Sequence, residues 1–157
     1  MRLPIPFEAS MPTDLDRYRA DLSGTSSDAE ETLWGQLRAR SLSSDPLPMP
    51  VRQFPWVQAE REAGRPFPVT AKGNPRGWTA DFAWPQQRLL IEVDGAIFSV
   101  KGKRGERGGH TSGTGYTEDR ERDAEALCCD WRTLRVTTNQ VESGQALTWC
   151  EKLLEVR

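Results

Sequence analysis

The stretch ADFAWPQQRLLIEVDG, residues 80–95, limits what this chain can fold into more than any other. Arg88-Leu89-Leu90-Ile91 is a short, mostly apolar run entered from a Pro-centred turn, which is the pattern of a buried strand. The residues before the turn, Asp81-Phe82-Ala83-Trp84, read as the end of a partner strand, so the two form a hairpin. Alternate residues of a strand share a face, and Glu92 and Asp94 therefore project to one side. The hairpin carries Asp81 toward the same side. Three carboxylates gathered at the end of apolar strands repel one another unless a cation, a proton or a basic side chain lies between them.

A chain of 157 residues suits one core and one domain. The hydrophobic fraction of 36% and six Trp exclude a wholly disordered chain. A formal net charge of -2 excludes a uniformly basic coat for nucleic acid and leaves room for a local basic patch. The three cysteines include the adjacent pair Cys128 and Cys129 and lack the spacing of a zinc site, so they read as reduced thiols. A single His excludes a His-rich metal site. No signal-peptide or bilayer-length apolar run is present, and the expectation is a soluble, cytoplasmic protein without membrane contact.

Residues 1–25 mix Pro, Asp and Arg with little periodicity and read as an N-terminal arm; residues 26–157 read as the domain. Its first helix starts at Ser27, with Ala29, Leu33, Trp34 and Leu37 as the apolar stripe and an end near Arg40. Ser27 and Glu30 fit a capping box, which gives Glu30 a structural reading beside a functional one. Residues 51–60 suggest a first strand that the Pro55 break weakens or places on an edge. Residues 63–77 read as a loop carrying Arg65, Lys72 and Arg76.

After the hairpin the run KGKRGERGGHTSGTG, with Lys101, Lys103, Arg104 and Arg107, is Gly-rich and basic. It is either a solvated loop or one that follows a charged duplex. A second helix is expected over 116–128, capped at Thr117, with Ala124, Leu127 and Cys128 facing inward. The alternation in WRTLRVT predicts a strand over 131–137, and a last helix is expected over 139–155. The strand after a helix should join parallel to a neighbour. The resulting fold class is α/β, a three-layer sandwich with a mixed central sheet of about four strands flanked by helices.

Asp81, Glu92 and Asp94 offer oxygen ligands only, a set suited to a hard cation such as Mg²⁺ rather than to zinc. The competing reading pairs one or more of these acids with Arg88, Arg132 or Arg135.

The order of SDAEETLW, ADFAWP, LLIEVDG, GGHTSGTGY, TEDRERDAEAL and WRTLRVT resembles the PD-(D/E)xK nuclease superfamily, and within it the very-short-patch-repair-like endonucleases and their small phage relatives. The resemblance extends over about residues 26–141. It implies a restriction-endonuclease-like core, with Asp81 as the metal-bridging aspartate, Glu92 as the second carboxylate, the Val93 carbonyl as a further ligand, and Glu30 reaching the metal through water. Mg²⁺, replaceable by Mn²⁺, would be the cofactor and DNA the partner, cut to leave a 5′-phosphate and a 3′-hydroxyl.

At the third motif position, where the superfamily commonly has Lys, this chain has Asp94. The water-activating role is then open, and His110 is the leading substitute, followed by Lys101 and Lys103. The expected function is a metal-dependent DNA endonuclease with Glu30, Asp81, Glu92, Asp94 and His110 as catalytic residues, acting on nicked, mismatched or branched DNA. Arg65, Lys72, Arg76, Lys101, Lys103, Arg104 and Arg107 would contact DNA. The alternative is a binding module that keeps the nuclease fold without catalysis. The N-terminal arm and the Trp149 helix are the two candidate contacts for a homodimer.

Overall fold

The structure, a computed structural model, describes residues 27–94 and 113–155. The basic-loop candidates Lys101, Lys103, Arg104, Arg107 and His110, and the N-terminal arm, lie outside the described residues. The elements are α1 (Asp28–Ser41), β1 (Val51–Phe54), α2 (Trp56–Glu62), β2 (Ala80–Trp84), β3 (Leu89–Asp94), α3 (Gly113–Cys128), β4 (Arg132–Thr137), α4 (Thr138–Glu142) and α5 (Gln145–Leu154).

Four strands form one sheet in the order β1-β2-β3-β4. Pairing is antiparallel from β1 to β3 and parallel between β3 and β4, so the sheet is mixed. The pleat of β3 divides its side chains between two cores. Leu89, Ile91 and Val93 pack in one cluster with Leu33 and Leu37 of α1, Val141 of α4 and Cys150 of α5. Leu90 packs in the other, with Trp56 and Val57 of α2, Ala126 of α3 and Trp131. The sheet lies between these helical layers, as a three-layer sandwich requires. Leu33 and Leu37 are almost wholly buried, worth about 2 kcal/mol each by apolar area.

Local chemistry explains most of the boundaries. Ser27 caps α1, its hydroxyl accepting the Glu30 N–H. Thr137 caps α4 in a full capping box with Gln140. Gly144, at φ 82°, separates α4 from α5 in a left-handed conformation that suits glycine. The single final helix expected over 139–155 is therefore two.

Two other expectations change. The first strand stops at Phe54 and lies on the sheet edge, as Pro55 suggests, but the residues after it are helical, with Pro55 at the N-cap of α2, where a missing N–H costs nothing. Helix α3 begins at Gly113, which places Thr117 inside it rather than at its cap. Its buried positions are Ala126, with Cys129 just beyond its end, while Leu127 is 69% exposed and Cys128 is also exposed. The inward face instead carries the partly buried Arg122 and Asp123, because the sheet end opposite them is lined with carboxylates and an arginine.

Arg88, at φ 53°, closes the hairpin and pairs with the buried Glu60 through both guanidinium branches, stacking over Trp131 at 4.0 Å. Trp149 lines a groove with Leu134, Gln140 and Leu153 beside the β4 edge. Among the described residues no helix is long and apolar enough to cross a membrane.

Candidate active site

The site begins with a break in the β2–β3 ladder. The register runs through Trp84↔Leu89, Ala83↔Leu90 and Phe82↔Ile91. One step further, the Asp81 carboxylate replaces a backbone partner: its Oδ2 accepts the Val93 N–H at 2.7 Å. A side chain inserted there fixes the carboxylate between the strands and satisfies a backbone donor that would otherwise lack a partner. The same bond fixes the position of Val93, the expected third ligand.

On the other side of β2, alternation slips. Val51 and Phe54 of β1 both enter the core beneath α2 and α3, as do Ala80 and Ala83 opposite them. Gln53 absorbs the slip at φ 46°, a left-handed conformation costing a non-glycine residue on the order of 1 kcal/mol. Its amide is thereby turned between two acids, with Nε2 at 3.2 Å from Glu30 Oε2 and 3.4 Å from Asp81 Oδ1. Glu30 uses its other oxygen on the Ser27 hydroxyl, at 3.3 Å. Helix capping and the acidic site thus share one carboxylate.

Glu92 is 7% exposed on the same pleat parity as Leu90. Burial, followed by the nearby charge of Asp81, pushes its carboxyl up to about 8 despite the Arg122 and Arg135 charges. Burial raises Asp81 as well, opposed by the Val93 and Gln53 hydrogen bonds and the Arg122 charge, with Asp94 adding to the rise. Glu30 is raised by burial and then by Asp81. Asp81 is therefore electrostatically coupled to each of the other three acids.

Two arginines lie against this group. Arg122 Nη1 is 3.3 Å from Glu92 Oε1. Arg135 Nη1 is 3.1 Å from Asp94, and the same guanidinium forms a fork on Asp123, with Nε 2.8 Å from Oδ2, and approaches Asp119 at 3.8 Å. The Asp94–Arg135 pair is the structural role anticipated for one of these acids. Neither Arg88 nor Arg132 fills it: Arg88 turns to Glu60, and Arg132 donates to the Gln87 carbonyl.

Of the expected DNA contacts, Arg76 stacks over Trp78 at 5.0 Å and pairs with Glu121. The Arg122 guanidinium lies 5.9 Å from the same ring, so Arg76 is joined to the carboxylates through Trp78. Lys72 is exposed in the same connection and Arg65 is partly buried.

Sequence reasoning missed Gln53 and Arg122. Gln53 carries no composition signal, but Arg122, three residues from Asp119 and one from Asp123, stands in the charge-rich stretch TEDRERDAEAL.

The donor chemistry, all oxygen and in part reluctant to ionise, fits a hard divalent cation at Asp81 and Glu92. It fits less well at Asp94, which is engaged by Arg135. Among the described residues no three His, Cys, Asp or Glu side chains stand close enough together to enclose a metal ion. Comparison with family models, curated proteins and solved structures gives no match.

Proposed function

We propose that the chain is a metal-dependent DNA endonuclease of the PD-(D/E)xK kind, hydrolysing phosphodiester bonds in nicked, mismatched or branched DNA. One observation carries this reading: Asp81, seated at the opening between β2 and β3, is coupled to the buried Glu92 and, through the Gln53 amide, to Glu30. Acids whose pKa values are raised by burial and then by a neighbouring carboxylate are costly to a fold and mark sites where charge is used.

Asp81 and Glu92, with the Val93 carbonyl, would hold Mg²⁺ or Mn²⁺, and Glu30 would orient water beside it. A cation bound there would lower the pKa of a water and neutralise charge at the scissile phosphate. Glu92 must release its proton to serve as a ligand, and Asp81 must remain fixed by the Val93 N–H. Asp94 orders Arg135 at the edge of the site. His110 is assigned the handling of the water's proton, and the cations of residues 101–107 the DNA backbone, on sequence grounds alone.

A second reading, a binding module without catalysis, has its own support in the arginines placed on Glu92 and Asp94. A cleavage panel separates the two. Wild type, Asp81→Asn and His110→Ala are incubated with linear, nicked, mismatched, flap and four-way DNA in Mg²⁺ or Mn²⁺. Cleavage by wild type that Asp81→Asn abolishes supports the nuclease. Binding of these DNAs without any cleavage favours the module, and neither binding nor cleavage refutes both.

A further inference from the structure

We propose that Arg122 is the phosphate-binding cation of this site, held on Glu92 until a divalent cation takes that carboxylate and a phosphodiester replaces it as the arginine's partner. The inference deepens the nuclease reading and rests on it. Asp94 is paired with Arg135, and helix α3 sets Arg122 against Glu92, the other acid on the same face of β3.

Three features mark Arg122 as a guanidinium with donors to spare. Its contact with Glu92 is one-sided, Nη1 to Oε1 at 3.3 Å, whereas Arg135 forks onto Asp123 and Arg88 forks onto Glu60. Its Nε is buried with no hydrogen-bond partner, although a guanidinium has five N–H groups to satisfy. It also lies at the ring of Trp78, whose other arginine neighbour, Arg76, likewise has a buried Nε without a partner. Arg122, with an unsatisfied Nε and a single contact to Glu92, is the guanidinium at the carboxylate cluster with donors left for an anionic oxygen.

The exchange follows from charge. A divalent cation and Arg122 compete for the oxygens of Glu92, so loading the cation leaves a partly buried guanidinium without its acceptor there, which is costly unless a new one arrives. A phosphate held at the cation is that acceptor, and its oxygens match the planar fork of an arginine. Cation and DNA should therefore bind cooperatively, each strengthening the other by the same factor.

The test uses the full chain and its Arg122→Met and Arg122→Lys variants. Calorimetry with MgCl₂ alone gives the cation affinity. Fluorescence anisotropy with a nicked duplex in Ca²⁺ gives DNA affinity and its salt dependence. For Arg122→Met the expected result is that Mg²⁺ binding persists, because the variant loses a competitor for Glu92 together with a charge that favours its ionisation. DNA binding should weaken by about tenfold and its salt slope shrink by about one. Arg122→Lys should keep the charge but lose the fork, giving an intermediate DNA affinity.

Unchanged DNA affinity in Arg122→Met overturns the inference, and so does loss of Mg²⁺ binding, which would make Arg122 a mere prop for Glu92. If Arg122→Met fails to fold by circular dichroism, Arg122→Lys decides: wild-type DNA affinity in that variant overturns the proposal. Failure of wild type to bind either Mg²⁺ or DNA removes the nuclease reading and the inference together, whereas wild-type binding with an indifferent Arg122 removes the inference alone.

Discussion

Replacing Glu92 with Gln should stabilise the metal-free protein, and increasingly so as pH rises. The carboxyl titrates near 4.5 when unfolded and is pushed up to about 8 when folded, first by burial and then by Asp81. Between those values the folded state keeps a proton that the unfolded state has lost, so stability falls as pH rises. The penalty is absent below pH ~4.5, grows through neutrality and levels off above pH ~8. At ~1.4 kcal/mol per tenfold, the interval sets a ceiling of about 5 kcal/mol.

Relaxation and water penetration around buried charges should reduce that to on the order of 2–3 kcal/mol, still a large part of a domain's stability. Gln keeps an oxygen for Arg122 and carries no charge, which isolates the effect of ionisation. Urea unfolding followed by Trp fluorescence, in EDTA from pH 5 to 8, is the assay. The upper limit matters because burial raises the Cys129 thiol to about 11 and Cys150 to about 12, and their unfolded-state ionisation adds a further decline near pH 9. The wild type should lose stability across the window and Glu92→Gln should lose less. Parallel curves for the two proteins would refute the electrostatic account of the site.

Three further outcomes are expected. Arg88→Met should destabilise the domain by about 3–5 kcal/mol in thermal unfolding, because it strands the buried Glu60 carboxylate. Gln53→Gly should exceed Gln53→Ala in stability by about 1 kcal/mol, since only glycine accepts φ 46° without strain; equal urea midpoints would contradict that. Arg135→Lys should lower the thermal midpoint despite keeping the charge, because a lysine cannot reproduce the fork on Asp123 while holding Asp94.

The sequence disclosed what is encoded locally. The alternation after Trp131, the Ser27 cap and the apolar run at Leu89 to Ile91 each dictate an element within a few residues, and all are present. Helix α2 was hidden because Pro55 serves equally as a strand breaker and as the start of a helix, and seven residues are too few for a clear apolar stripe.

The orientation of α3 was misread for a different reason. Its apolar residues are few, so Leu127 remains exposed, and the face turned inward is the one whose Arg122 and Asp123 answer Glu92 and Arg135 across the chain. Gln53 reaching Asp81, 28 residues away, is a contact that only the assembled sheet creates. The carboxylates of the site could thus be read from the sequence, but the groups that hold and neutralise them could not.

The most direct measurement is a calorimetric titration of the metal-free chain with MgCl₂ at pH 7, in two buffers of different ionisation enthalpy. The account expects one cation per chain, binding lost in Asp81→Asn, and release of about one proton per cation as Glu92, otherwise protonated with its pKa near 8, becomes a ligand. No binding, or binding that neither depends on Asp81 nor releases a proton, would contradict it.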